Sequence, residues 1–267
     1  VVAMLTSVRN PLVKSIRKLH QGKHRRLQQQ FLLEGTHLIQ EALQAGYPLE
    51  VSCYTPLWAE RYPHLVENLQ QATPRIEVVA DEVLRAMATT MHPDGVIAIA
   101  SQCPLTAPMN FSLALAIETL QDPGNLGSII RTGVAAGVEG LWLSQDSVAP
   151  DHPKVLRASA GQWFHLPITV CNDLLETVTT WRDQDLQVVA TDVDSSVDYW
   201  DIDFLQATVV LLGNEGAGLS QPLLDLATVK ARIPMAPQVE SLNVGVAAAL
   251  LTYEAKRQRQ MTFLSNG

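Results

Sequence analysis

Cysteine is scarce in this sequence. Cys53, Cys103 and Cys171 are odd in number and far apart, so they form neither a zinc spacing nor a disulfide framework. Long apolar runs are also missing. The longest, "VGVAAALL" at 244–251, falls well short of the roughly 18 residues that signal a membrane span, and it reads as a buried helix segment. The N-terminal "VVAMLTSVRNPLVK" lacks the charged start, apolar centre and small-residue site of a secretion signal. A reduced, cytoplasmic protein without membrane contact is expected. Aromatics are only 6% of the chain, and Trp142, Trp163, Trp181 and Trp200 read as core or loop anchors rather than base-stacking platforms.

Acidic residues are missing from one place. Residues 1–30 hold Arg9, Lys14, Arg17, Lys18, Lys23, Arg25 and Arg26 but no Asp or Glu. This arm carries +7, and the rest of the chain carries −15, which the whole-chain −8 conceals. Charge of one sign on an otherwise acidic protein points to a polyanion as its partner. His20 and His24 lie in the same stretch. "HQGKH" lacks the Glu of a zinc-protease helix, so no metal site is expected there. The acidic "TDVDSSVDYWDID" has Val197 where a calcium loop needs Gly and Asp203 where it needs Glu. It reads as a solvated loop after a strand. No G-x-S-x-G is present, which removes the hydrolase elbow.

What is present is an alternation of short apolar runs and helical stretches. With 267 residues, 47% of them hydrophobic, the chain has ample material for one or two cores. In the first hundred residues "FLLEG", "LEVSCYT", "RIEVVA" and "GVIAIAS" read as strands. Between them lie a basic helix broken near Gly22, a helix "THLIQEALQAG" with Thr36 as N-cap, and helices over 57–72 and 81–90. The aperiodic "QCPLTAPMN" at 102–110 is a linker. It divides the chain into domains at 1–105 and 106–267.

After the linker "LALAIE", "GLWLS", "LPITV", "LQVVATDV", "ATVVLLG" and "VKARIP" read as buried strands. Helices are expected at 127–137, 153–160, 173–184, 219–227 and 241–260. This pattern indicates an α/β domain with a mainly parallel sheet covered on both faces. Ligands of such sheets bind at the carboxyl ends of the strands, so three loops matter.

The loop 213–218, "GNEGAG", follows an apolar strand. It is neither G-x-G-x-x-G nor a P-loop. Glu215 would repel a phosphate and suits a cationic or hydrogen-bond-donating ligand. The loop "DPGNLGSIIRTGVAAG" at 122–137 has turn chemistry at its start. Locally, Asn125 or Ser128 is an N-cap candidate and Arg131 a surface salt-bridge residue. The third loop, "IPMAPQVESLN", leads into the last helix, where Ser241 is a cap candidate and Asn243 a first-turn polar residue.

Together "NLGSIIRTG", "GNEGAGLS" and "IPMAPQVESLNVGVAAALLTYE" resemble, in order, the three motifs of the SpoU (TrmH) family of RNA ribose 2′-O-methyltransferases, in the SPOUT superfamily. The resemblance covers about 112–260. The first hundred residues, best in "FLLEGTHLIQEAL", are similar to that family's L30e-like α/β substrate-binding domain. The resemblance implies a C-terminal trefoil knot and S-adenosylmethionine as cofactor, with no metal. It places Gly213, Asn214, Ile233, Met235 and Leu242 at the cofactor and Asn125, Arg131, Glu215, Ser241 and Asn243 at the active site. It also implies a homodimer through the C-terminal domain, with structured RNA as substrate, ribosomal RNA favoured over tRNA. A tRNA 2′-O-methyltransferase and a non-catalytic RNA-binding ribosome-assembly factor are the alternatives. Two departures stand out: Pro237 where a Gly is usual, and Gly245 where a Ser is frequent.

Overall fold

The computed structural model describes residues 4–108 and 110–265, with side chains through 261. The chain forms two compact units, Val1–Cys103 with Asp151–His165, and Pro104–Pro150 with Leu166–Gly267. The linker-based division assigns 151–165 to the second half. The structure corrects this, because that stretch packs inside the first unit.

In chain order the first unit runs α1 (Pro11–Lys18), α2 (Gly22–Gln28), β1 (Gln30–Glu34), α3 (Thr36–Gln44), β2 (Leu49–Tyr54), α4 (Pro56–Arg61), α5 (Pro63–Ala72), β3 (Arg75–Val78), α6 (Asp81–Met87) and β4 (Val96–Ser101). The second begins with β5 (Leu113–Ile117), α7 (Pro123–Ala136) and β6 (Gly140–Ser144). Then α8 (Pro153–Ala158) lies with the first unit. The second resumes with β7 (Ile168–Cys171), α9 (Leu174–Asp183), β8 (Gln187–Thr191), β9 (Thr208–Leu212), α10 (Gln221–Leu226), β10 (Val229–Ala231) and α11 (Val244–Ser265).

The first unit holds a mixed sheet in the order β1-β4-β2-β3. Only β2 and β3 are parallel. β4 is central and almost wholly buried, as its unbroken "VIAIA" requires. Helix α1 starts where Asn10 accepts the Leu12 N–H at 2.8 Å, with Pro11 at its first position. Its Leu12, Val13 and Ile16 are buried with Val83, Leu84 and Met87. Lys14, Arg17 and Lys18 are left in solvent. The stretch 57–72 is two helices, because Tyr62 leaves helical geometry before Pro63. Thr36 is not the cap of α3. Gly35, at φ 102°, holds that position and the Thr36 hydroxyl instead accepts the Trp58 indole N–H at 2.9 Å. Phe31, Tyr47, Trp163 and Phe164 form an aromatic cluster with centroids 5.1–5.8 Å apart.

The second unit holds six parallel strands in the order β10-β8-β9-β5-β6-β7. β5 and β9 are neighbours and are buried at every residue. From β5 the chain builds β6 and β7 to one side, then crosses to build β8, β9 and β10 on the other. The carboxyl ends of β5 and β9 therefore mark the switch point where such sheets hold ligands. Trp142 and Trp181 pack with Phe111 in the core of this unit, whereas Trp200 is exposed.

Candidate active site

Helix α7 begins earlier than its apolar periodicity indicates. Asp122 caps it by accepting the Asn125 backbone N–H at 2.9 Å, and Pro123 takes the first position. Neither Asn125 nor Ser128 is the cap, and the Asn125 side chain is released for other contacts. Its Nδ2 donates to Glu215 Oε1 at 3.0 Å. Its Oδ1 accepts from Asn243 Nδ2 at 2.9 Å. One side-chain chain, Asn243–Asn125–Glu215, thus joins all three loops at the carboxyl ends of the strands.

Each end of that chain is fixed. Asn243 Oδ1 accepts the backbone N–H groups of Gly245 at 2.9 Å and Val246 at 3.4 Å, which makes Asn243, not Ser241, the start of α11. A Cβ on residue 245 would come within 3.1 Å of Asn243 Oδ1, so Gly245 leaves room for this cap. At the other end, Asn214 folds the loop. Its Oδ1 accepts from the Gly216 and Ala217 backbone, and its Nδ2 donates to the Thr119 carbonyl at 2.8 Å. Gly213 is required by close approach. A Cβ there would lie 2.1–2.4 Å from the Gly218 and Leu219 backbone.

Ile233, Met235 and Leu242 are half-buried on the third loop. Pro237 sits within a turn closed by Val239 N–H to Ala236 C=O at 2.9 Å. That position suits the fixed φ of proline. Arg131 and Ser241 are exposed, and their side chains make no hydrogen bond or ion pair among the described residues.

Sequence reasoning missed the residues that set the first loop. Thr119 has φ 54°, an unusual conformation for a β-branched side chain. Its hydroxyl donates to Asp146 Oδ2 at 2.7 Å and its N–H to Ser144 Oγ at 2.7 Å. Hydrogen bonds from Ser144 and Thr119 hold the Asp146 carboxyl below its usual range. Glu118 accepts the Ser220 N–H at 2.7 Å and steadies the second loop. Nothing in "ETL" or "SQDS" alone announces these contacts, since Ser, Thr and Asp are ordinary turn residues. An open cavity of about 630 Å³ adjoins them, lined in part by Glu118, Asp146, Asp173 and Ser220.

In the first unit six of the seven cations of the basic arm, Arg9, Lys14, Arg17, Lys18, Lys23 and Arg26, are exposed. Arg25 is a correction. It is only 2% exposed, its Nε lies 3.0 Å from Asp151 Oδ1, and its Nη1 donates to the carbonyls of Leu19 and His20. That Nε is charge-paired without being aligned for a hydrogen bond. Arg25 therefore anchors residue 151 and is not an RNA contact. Among the described residues no cluster of three or more His, Cys, Asp or Glu is placed to hold a metal. No described helix is long and apolar enough to cross a membrane.

Residues 112–253 match the SpoU rRNA methylase family, and residues 10–98 match the MRM3-like substrate binding domain. An uncharacterized tRNA/rRNA methyltransferase of Synechocystis is 46% identical, across 97% of this chain and 95% of its own length. The Bacillus subtilis 23S rRNA (guanosine(2553)-2′-O)-methyltransferase RlmP is 32% identical, across 94% and 98%. The crystal structure of an AdoMet-bound rRNA methyltransferase from Sinorhizobium meliloti superposes with TM-score 0.85 at 33% identity, over 96% of this chain and 98% of that one. With the parallel sheet and the three joined loops, these likenesses show that the chain belongs to the SpoU methyltransferase family.

Proposed function

We propose that this protein methylates a ribose 2′-hydroxyl of ribosomal RNA, working as a homodimer in the cytoplasm. Membership of the SpoU family makes it an S-adenosylmethionine-dependent RNA methyltransferase. The proposal adds the substrate class, the assembly and the residue roles. The observation that carries it is the Asn243–Asn125–Glu215 chain, which draws three loops to the β5–β9 switch point.

The residues there suit the cofactor. The 213–218 loop bears a carboxylate, Glu215, and no Lys or Arg, which favours a sulfonium over a phosphate. Gly213, Asn214, Ile233, Met235 and Leu242 would hold it, the last two and Ile233 offering apolar surface to its base. The cofactor supplies an already activated methyl group, so the protein's part is positioning and electrostatics. Glu215 orients the Asn125 amide, and Asn125 in turn orients Asn243. Arg131, exposed and without a side-chain partner among the described residues, is available to clamp the target phosphate and stabilise negative charge developing on the 2′-oxygen. A guanidinium stays protonated, so it acts as clamp rather than base. Ser241 and Asn243 orient the ribose. The trefoil knot belongs to this reading, since the same three loops would form it.

Ribosomal RNA is favoured by the substrate-binding domain match at 10–98 and by the RlmP likeness. The homodimer is favoured by the α7–α11 face. There Val246, Ala249, Leu250 and Tyr253 line an open groove of about 660 Å³, and Val246 and Tyr253 are nearly half exposed. The test is incubation of the protein and S-adenosylmethionine with purified ribosomal RNA or tRNA, then mass spectrometry of nucleosides. A 2′-O-methylated nucleoside from ribosomal RNA is expected. Product from tRNA alone overturns the substrate assignment. Cofactor binding without transfer to either RNA favours the non-catalytic assembly factor.

A further inference from the structure

We infer that the turn Ser144–Ser147 is a clasp that positions the active site, with Asp146 as its central positioning residue; this rests on the function proposed above. Among the described residues the turn makes no hydrogen bond to the side chains of Asn125, Arg131, Glu215, Ser241 or Asn243. It acts on the backbone between β5 and α7, one residue either side of Leu120.

The contacts are dense. Ser144 Oγ donates to Asp146 Oδ1 at 2.6 Å, so its lone pairs are left to accept. They take the Thr119 N–H at 2.7 Å and the Ser147 hydroxyl at 3.0 Å. Ser147 Oγ accepts the Leu120 N–H at 3.0 Å. Thr119 Oγ1 donates to the second carboxylate oxygen of Asp146 at 2.7 Å. The Asp146 carbonyl accepts from Gln121 Nε2 at 3.1 Å, and the Val148 N–H donates to the Leu120 carbonyl at 2.7 Å. Three consecutive residues, 119–121, are therefore held by one turn.

What is held is strained. Thr119 lies in the left-handed region at φ 54°, which a β-branched residue adopts only when its surroundings impose it. That conformation matters, because the Thr119 carbonyl receives Asn214 Nδ2 and Asn214 shapes the loop bearing Glu215. Three residues further along, Asp122 caps α7 and fixes Asn125. Both ends of the Asn125–Glu215 hydrogen bond are thus referred to Thr119. If the clasp opens, Thr119 relaxes to negative φ and the two ends move independently.

The experiment compares wild type, Asp146→Ala and Asp146→Ala/Thr119→Asn. Asn tolerates the left-handed region, so the double variant keeps the conformation without the clasp. Asp146→Ala should lower kcat about tenfold or more, as a misplaced site does, with the RNA KM and the cofactor Kd within about threefold. The double variant should recover a substantial part of kcat. Circular dichroism melts check that each variant is folded. Amide exchange at Thr119 and Leu120, whose N–H groups donate to the clasp hydroxyls of Ser144 and Ser147, should quicken about tenfold in Asp146→Ala. Turnover of Asp146→Ala within twofold of wild type overturns the inference. So does an equal loss in both variants, or unchanged exchange at Thr119. If wild type methylates no RNA, the proposed function fails, and the exchange measurement still decides whether the clasp holds the loop.

Discussion

Two side chains show how position gives a residue its role. Arg131 lies about two turns into α7, exposed and with no side-chain partner among the described residues, whereas Asn125, Glu215 and Asn243 are committed to one another. Arg131→Ala should reduce kcat about 100-fold, the usual scale for losing one transition-state contact, and leave the cofactor Kd within a few-fold. Arg131→Lys should recover little, because Lys lacks the planar fork. Near wild-type turnover of Arg131→Ala in a single-turnover methyl-transfer assay would reduce Arg131 to a surface residue. Glu34 is the opposite case. It is 4% exposed and accepts the N–H and hydroxyl groups of both Thr89 and Thr90, with Arg157 nearby. Burial pushes its carboxyl up, but these hydrogen bonds outweigh burial and hold it below the ordinary 4.5. A carboxyl lowered in the folded state stabilises fully above its unfolded value and loses that contribution as pH falls through the folded one. The melting-temperature gap between wild type and Glu34→Gln should therefore be widest above about pH 5 and shrink towards pH 3. A gap independent of pH would mean that the Glu34 carboxyl titrates alike in the folded and unfolded chain.

The elements show which signals sequence carries. Strands β4, β5 and β9 were legible because continuous Val, Ile, Leu and Ala runs leave no exposed face. The three loops were legible only together, because "NLGSIIRTG", "GNEGAGLS" and "IPMAPQVESLN" resemble one family's motifs in order, whereas each alone reads as an ordinary turn or cap. What was not legible depends on partners distant in sequence. Thr36 looks like a cap until Trp58 claims its hydroxyl, and Asn125 looks like a cap until Asp122 is seen to do that work. Arg25 could not be separated from its basic neighbours, since its carboxylate partner lies 126 residues away. This separation gives a prediction for α1 and α2. Changing Arg17, Lys18, Lys23 and Arg26 to Gln should weaken RNA binding and flatten its salt dependence, from a log–log slope of roughly −3 to −4 if about four phosphates are contacted. It should leave the cofactor Kd unchanged. Arg25→Gln should behave differently, keeping the salt slope while destabilising the first unit by about 3 kcal/mol, because Asp151 is left buried without its charge partner. Filter binding across a salt series, alongside urea unfolding, separates the two sets. An unchanged slope in the fourfold variant would retire the arm as an RNA contact.

At the scale of the whole molecule, the proposed dimer ties the groove on α11 to the polar chain beneath it. Asn243 belongs to both. It lines the groove with Val246 and Tyr253, and it donates to Asn125 in the proposed catalytic set. Apolar side chains left nearly half exposed around an open groove are a poor match for water, and a second copy of the same face would bury them by two-fold symmetry. The acidic excess outside the arm opposes this pairing only weakly, because charges further apart than about 8 Å are largely screened at physiological salt. Sedimentation velocity should give a dimer for wild type. Val246→Asp/Tyr253→Asp should give a monomer, since two carboxylates per face cannot be desolvated without partners. If Asn243 is held in place by the paired helices, that monomer should also lose most methyl transfer while its far-ultraviolet circular dichroism stays native. A variant that remains dimeric places the interface elsewhere. A monomer that methylates RNA at the wild-type rate shows that each chain carries a complete site and that the groove serves assembly alone.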